Sequence, residues 1–379
     1  MSAIVWLTEN YPPQRGGMAQ SCDRIINSLR NLGQVIHIVH FTDRKEAFKT
    51  TVQVAGSYTA IPIVDSEAHI LNLTWKVLER FTDVDMLVCY GSHLSIMGAP
   101  VYKRWFNWKL LTLIRGNDFD SSLFTPRKRG ILNELIETSD MVASVSSSKS
   151  EKIRRLFPGT RVKTVANGID LDGWRASERE RELATDWRSK NLHGRVCIGM
   201  FGELKSKKGG DMFLSSIAAF SVKDKVHLLL VGEIEEATIE LLDEKEFSYT
   251  SLPFLDRYEL LAPYLYCDVV AIPSFYDGMP NVLLEAGGLA IPVLASDVDG
   301  MSDVLEDGVT GYLFEAGNQE DCRRKIYEMI EDDEEGRRKK GDTLRNHIEL
   351  NYNQTIEAHN YENLISDLRS NQHVAGDRL

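Results

Sequence analysis

The sequence predicts an α/β fold made of two consecutive doubly wound halves, each with a parallel sheet. Three observations carry this prediction. Short runs that are apolar throughout alternate with stretches of helical spacing, and strands of that kind belong to parallel sheets covered on both faces. The alternation lapses once, over a charged stretch at 171–195, and then restarts. The chain of 379 residues also exceeds one ordinary core and suits two domains.

In order, residues 4–7 (Ile4, Val5, Trp6, Leu7) read as a buried strand, followed by a loop holding Pro12, Pro13, Gly16 and Gly17. Cys22, Ile25, Ile26 and Leu29 then recur at helical spacing, and Gly33 stands where a C-terminal cap belongs. Further strands are predicted over 35–41, 86–89, 110–114, 141–145 and 163–165. The stretch 171–195, with Glu178, Arg179, Glu180, Arg181 and Glu182 in succession, reads as an interdomain linker. Strands resume over 196–201, 226–231, 268–272 and 292–295, with helices over 211–220 and 256–266 between them. The expected organisation is an N-terminal domain over 1–170, the linker 171–195 and a C-terminal domain over 196–350. A C-terminal helix over 353–369 is expected to pack back on the first half. The carboxyl ends of the two strand sets are expected to face each other across a cleft, where such sheets bind ligands.

Composition narrows the function. Apolar residues make up 43% and charged residues 26%, as in globular chains. A net charge of −12 argues against broad nucleic-acid binding, and a phosphate would need a local basic pocket. Five cysteines lie dispersed without metal-ligand spacing, which implies free thiols in a reducing compartment. The apolar run 3–7 is too short for a signal peptide, and nothing approaches the roughly 18 apolar residues of a membrane span. A cytoplasmic protein is expected. The segment 102–109 mixes Tyr102, Trp105, Phe106 and Trp108 with Lys103, Arg104 and Lys109. Weak membrane-surface association is one reading of it; an amphipathic helix end with core aromatics is favoured. No GxGxxG follows a strand, against a nicotinamide dehydrogenase.

The most informative stretch is 273–292, PSFYDGMPNVLLEAGGLAIP. A strand ends at Pro273, a polar loop carries Asp277 and Gly278, and Pro280 suits the first turn of a helix. The amides of Met279, Asn281 and Val282 would then be unpaired donors at a positive helix end, a site for a diphosphate or a sugar hydroxyl. Glu285 lies four residues after Asn281, so the two share a helix face.

This segment resembles the signature of the retaining family-4 glycosyltransferases of GT-B fold, Glu, seven residues, Glu, present here as Asp277 and Glu285. Flanking similarity extends to Pro273-Ser274, Pro292-Val293, Asp299-Gly300 and Gly308-Val309-Thr310-Gly311. It continues in Asn167-Gly168-Ile169-Asp170, Lys208-Gly209 and Gly16-Gly17, in the same order along the chain. The resemblance implies two Rossmann-like domains and transfer of a sugar from a nucleotide-diphosphate-sugar donor to an acceptor, without divalent metal or other cofactor. It implies that Glu285 binds the donor ribose, that Asp277 holds the donor sugar, and that the segment Gly278, Met279, Pro280, Asn281, Val282 fixes sugar and phosphate. Lys208, with the Gly16-Gly17 loop, would neutralise the departing diphosphate, and His93 would lie beside the reacting sugar. The nucleobase would be read near Phe254 and Leu255, and the acceptor near Arg115, Asn117 and Asp118.

Four positions depart from the family pattern. Asp277 is one methylene shorter than Glu, pulling its carboxylate back by roughly 1.5 Å. Glu203 stands where the family has Arg, Arg115-Gly116-Asn117-Asp118 replaces His-Gly-x-Asp, and Ala290 takes the place of a frequent Gly. Alternatives are a GT-B nucleotide-sugar epimerase, an inverting transferase, and a non-catalytic nucleotide-sugar-binding relative.

Overall fold

The computed structural model describes residues 2–44, 48–64, 66–202, 209–219 and 222–370. The chain divides into two compact units, one of residues 1–167 with 354–379 and one of residues 168–353.

The first unit is laid out as β1 (Ala3–Thr8), α1 (Gly17–Asn31), β2 (Ile36–Thr42), β3 (Thr50–Gln53), β4 (Gly56–Pro62), α2 (Glu67–Leu78), β5 (Val84–Tyr90), α3 (His93–Phe106), β6 (Lys109–Ile114), α4 (Asn117–Leu123), α5 (Pro126–Thr138), β7 (Met141–Ser144), α6 (Ser147–Leu156) and β8 (Val162–Thr164). The second runs through α7 (Glu178–Asn191), β9 (Val196–Phe201), α8 (Gly210–Ala218), β10 (Val226–Val231), α9 (Glu236–Glu244), β11 (Tyr249–Leu252), α10 (Leu261–Tyr266), β12 (Val269–Ile272), α11 (Asn281–Gly288), β13 (Val293–Asp297), α12 (Gly300–Val304), β14 (Gly311–Glu315), α13 (Gln319–Glu331) and α14 (Glu334–Asn351). The last helix, α15 (Gln354–Ser370), returns to the first unit.

Among the described residues the first sheet has the order β3-β4-β2-β1-β5-β6-β7-β8, parallel except for β3 against β4. Alternation along each strand explains why these strands are apolar throughout. Ile4, Trp6, Ile36, Ile38, Met86, Val88, Leu111 and Leu113 meet Cys22, Ile25, Ile26 and Leu29 of α1 and Tyr361, Leu364, Ile365 and Leu368 of α15. The intervening Val5, Leu7, Val39, Phe41, Leu87 and Cys89 meet Ile70, Val77, Ala99, Tyr102 and Leu135 of the helices on the other face. Two ion pairs fasten α15, one largely buried and one half-buried: Arg24 Nε donates to Glu357 Oε2 at 2.7 Å and Arg369 Nε to Asp85 Oδ2 at 2.8 Å.

The second sheet, ordered β11-β10-β9-β12-β13-β14, is parallel in each of its described pairings. Ile198, Met200, Leu228, Leu230, Val269, Leu294 and Phe314 pack under Phe213, Leu214, Ile217, Ile326 and Met329 of α8 and α13.

Two segments differ from the sequence reading, and a third follows the reading favoured for it. The stretch 171–195 is part of the second unit and contains α7, started by a Ser177–Glu180 capping box. Trp187 of α7 stacks on Tyr266 at 4.4 Å, and Arg188 pairs with Asp268 at 2.7 Å. Within 256–266 only Leu261–Tyr266 is helical, because Asp256 Oδ1 accepts the amides of Tyr258 and Glu259 and fixes a turn ahead of the helix. In 102–109, Tyr102 and Trp108 are buried and Phe106 stacks on Trp108 at 4.5 Å, while Trp105 is 66% exposed beside Trp75.

Candidate functional site

In the second unit the candidate residues gather at the carboxyl end of the sheet. The β12 strand ends at Ile272, and residues 273–280 form the loop into α11. Pro280 is the N-cap of α11, with φ −69° and ψ 135°, one position earlier than the first-turn place expected of it. Its carbonyl accepts the Leu283 amide at 3.2 Å. Pro280 itself offers no side-chain cap, and no acid stands in the first turn of the helix.

Neighbouring loops fix the loop from outside. The Gly300 amide donates to the Gly278 carbonyl at 2.8 Å, and a Cβ at position 300 would run into that same oxygen. Ser296 Oγ donates to the Ser274 carbonyl. On the other side Gly209, at φ +71°, lies so close to the Pro273 carbonyl that any Cβ would clash with it. Two glycines of the sequence motifs are therefore accounted for by close backbone approach and, at Gly209, by a left-handed conformation.

Glu285 and Asn281 lie on one face of α11, both half-buried. Two residues outside any motif hold Glu285. The Tyr264 hydroxyl donates to Glu285 Oε2 at 2.7 Å, and Trp174 Nε1 donates to the Glu285 carbonyl at 2.8 Å. Tyr264 is 0% exposed and stacks on Phe201 at 3.9 Å; burial first, then the Glu285 carboxylate, pushes its phenol well above the ordinary tyrosine range. It therefore stays a donor at all physiological pH. Asp277 is half-buried in the loop, and Phe254 and Leu255 lie just past the carboxyl end of edge strand β11. Lys208 and Glu203 lie outside the described residues.

In the first unit Gly16, at φ +112°, is the N-cap of α1 and Gly17 its first residue. Gly16 offers no side-chain cap here either, and no acid stands in the first turn of α1. The α3 N-terminus differs. Glu9 Oε1 accepts the Leu94 amide at 2.5 Å, and burial is the main force raising the Glu9 carboxyl above its ordinary value. His93 opens α3 and its Nε2 lies 2.7 Å from Glu67 Oε1.

Arg115 does not take the acceptor-facing place expected of it. It is 7% exposed, donates to the Tyr361 hydroxyl at 2.6 Å and to Asn167 Oδ1, and lies 5.6 Å from the Tyr90 ring centre. Its guanidinium is consumed inside the unit. Asn117 and Asp118 begin α4, and their side chains lie outside the description. Among the described residues, His, Cys, Asp and Glu nowhere gather in threes as metal ligands, and no helix is long and apolar enough to cross a membrane.

Sequence reasoning missed Tyr264, Trp174, Glu67 and Glu9. Glu9 sits within a few residues of the Gly16-Gly17 loop, but the others carry no local signal.

Residues 184–346 match the family model described as glycosyl transferases group 1. The chain is 27% identical over 194 residues to a D-inositol 3-phosphate glycosyltransferase of Nocardia farcinica, covering 48% of this chain and 42% of that protein, so the match spans less than half of that relative. It is 26% identical over 357 residues to an alpha-maltose-1-phosphate synthase of Mycolicibacterium smegmatis, covering 86% and 88%. Among solved structures, the sucrose-phosphate synthase of Thermosynechococcus elongatus superposes with a TM-score of 0.82 at 17% identity, over 97% of this chain and 99% of that one. Anabaena HepE, in complex with UDP and glucose, superposes with a TM-score of 0.78 at 16% identity, over 97% and 100%. The second unit of this chain thus matches the glycosyl transferases group 1 model over residues 184–346, and the chain shares the GT-B fold of these solved structures.

Proposed function

We propose that this protein is a glycosyltransferase that moves a sugar from a nucleotide-diphosphate-sugar donor to a carbohydrate, lipid-linked or small-molecule acceptor, with retention at the anomeric carbon and without a metal. The observation that carries the proposal is the 273–285 segment: a helix start with Pro280 at its N-cap and no acid in its first turn, its loop packed closely against Gly300 and Gly209, and Glu285 one turn along held by Tyr264. It lies inside the region matched by the family model. HepE, of the same fold, is described in complex with UDP-glucose, which favours a nucleotide sugar as donor.

The chemistry assigns the roles. Glycosyl transfer develops positive charge on the sugar ring and negative charge on the departing diphosphate. Helix-start amides at Gly278–Val282 stabilise that negative charge, aided by Lys208. Glu285 accepts hydrogen bonds from the donor ribose, each such charged bond contributing about 1.5–3 kcal/mol. In the second unit Asp277 binds the donor sugar and Phe254 and Leu255 read the nucleobase; in the first unit His93 contacts a sugar. The five buried free thiols favour a cytoplasmic location.

The test is a panel of nucleotide sugars screened for thermal stabilisation, followed by turnover with and without chelator and assignment of the product anomer. A stabilising donor, turnover in chelator and a retained anomer are expected. Glu285→Ala should largely abolish turnover. An active Glu285→Ala enzyme with unchanged donor affinity would remove the assigned role, and an epimerised donor without acceptor would favour the epimerase reading.

A further inference from the structure

The turn between β5 and α3 leaves His93 with one ring nitrogen committed and the other not. His93 Nε2 lies 2.7 Å from Glu67 Oε1, and the second oxygen of Glu67 accepts Arg127 Nη2 at 2.6 Å. The hydrogen bond from His93, reinforced by the Arg127 charge, holds the Glu67 carboxyl below its ordinary range. An ionised carboxylate can only accept, so Nε2 must carry the hydrogen. Nδ1 has no hydrogen-bond partner among the described residues, and the side chain is 36% exposed.

The backbone beneath the ring is held as well. Ser92, just before it, sits at φ +88°, a conformation that side chains rarely adopt and that persists only where surroundings enforce it. The enforcement comes from the β1–α1 loop. Asn10 Nδ2 donates to Ser92 Oγ, and Glu9 Oε1 accepts the Leu94 amide at 2.5 Å. The loop that carries Gly16 and Gly17 and the turn that carries His93 are thereby fastened to each other. Glu67, on α2, supplies the remaining constraint, the orientation of the ring itself.

We propose that Glu67 is a positioning residue that fixes His93 as the Nε2–H tautomer, so that the Nδ1 lone pair is offered to a hydroxyl of a bound sugar; this rests on the glycosyltransferase reading. Arg127 keeps Glu67 ionised and in place. As an ion pair the cluster is too exposed to contribute much stability. Its consequence is which nitrogen faces the substrate.

The test uses the full chain and two independent readouts. Nitrogen NMR of histidine-labelled protein, without substrates, should show the Nε2–H form at His93. Glu67→Ala should lose that preference, and Glu67→Gln, whose amide oxygen still accepts from Nε2–H, should keep it. With the donor found in the panel, Glu67→Ala should lower kcat about tenfold, the low end of what orienting partners of histidine give elsewhere. The donor KM should change by less than about twofold, and Glu67→Gln should recover most of the rate. The Glu67→Ala/His93→Ala double variant should be no slower than His93→Ala alone. An Nδ1–H form in the wild-type protein, or additive rate losses, would overturn the proposal. The NMR arm reads the same whether or not any donor is turned over, so failure of the transferase reading is registered separately.

Discussion

Replacing Tyr264 with Phe isolates the contact that orients Glu285. The substitution removes one oxygen atom and keeps the ring that stacks on Phe201 at 3.9 Å and packs edge-on to Trp174 at 5.6 Å. What disappears is the 2.7 Å bond from the hydroxyl to Glu285 Oε2. Hydrogen bonds to charged groups contribute about 1.5–3 kcal/mol, corresponding to roughly ten- to hundredfold in an equilibrium constant. Because Glu285 is half-buried and can turn toward water, most of this should appear as lost orientation and little as lost stability. If Glu285 binds the donor ribose equally in ground and transition states, donor KM should rise about tenfold or more while kcat stays nearly constant. Steady-state kinetics over donor concentration, with calorimetric titration of the nucleoside diphosphate product, measures both. A Tyr264→Phe enzyme with wild-type donor KM would refute the reasoning that Tyr264 sets the Glu285 carboxylate. A fall in kcat alone would move Glu285 from ribose binding to the chemical step.

Gly300→Ala drives a Cβ into the Gly278 carbonyl and breaks the seat of the 273–280 loop, so nucleotide affinity should fall. The unit should remain folded at a cost of about 1–3 kcal/mol, read from its urea midpoint. Glu357→Ala strands the buried Arg24 guanidinium and should destabilise the first unit by about 3–5 kcal/mol. An Arg24→Met/Glu357→Leu pair should restore much of that loss in thermal melts, since no charge is then left unpaired. Stability should also depend on Asp120. Burial pushes its carboxyl up, but the Lys149 and Lys152 ammonium groups outweigh this and hold it below the ordinary aspartate range. A depressed folded value means the contribution is complete above the unfolded value near pH 4 and lost as pH falls through the folded one. Urea melts between about pH 2 and pH 6 should show this loss, and Asp120→Asn should flatten it while lowering neutral stability, because Lys149 is 1% exposed.

The strands that were legible in sequence are those buried on both faces. Ile4 and Val5 point to different helical layers, yet both are fully buried, so no polar residue interrupts the run. The segments that escaped are those where one face meets water or a pair closes an edge. Residues Thr50–Gln53 of β3 are largely exposed and are held by antiparallel pairing to β4. An apolar run was never required there. The α7 helix escaped for the same reason, since Ala184 is its one fully buried residue. A capping box, the Trp187 stack and the Arg188–Asp268 ion pair hold what an apolar stripe would otherwise announce.

The candidate site divides along a similar line. Its loop and helix start are contiguous in the chain, so Asp277, Pro280, Asn281 and Glu285 could be read together from local rules. Their supports come from afar: Trp174 lies 111 positions before Glu285 and Glu67 lies 26 before His93. Arg115 and His93 show what this costs. Each follows a parallel strand of the first sheet at its carboxyl end, where ligand-facing residues are expected. The difference is made by α15, whose Tyr361, 246 positions beyond Arg115, takes one arm of the guanidinium while Asn167 takes another. His93 hydrogen-bonds one acid, Glu67, and keeps one nitrogen open among the described residues. A polar residue at a strand end is therefore assigned to ligand or to core by whether a distant element consumes its donors, and only the folded chain supplies that element.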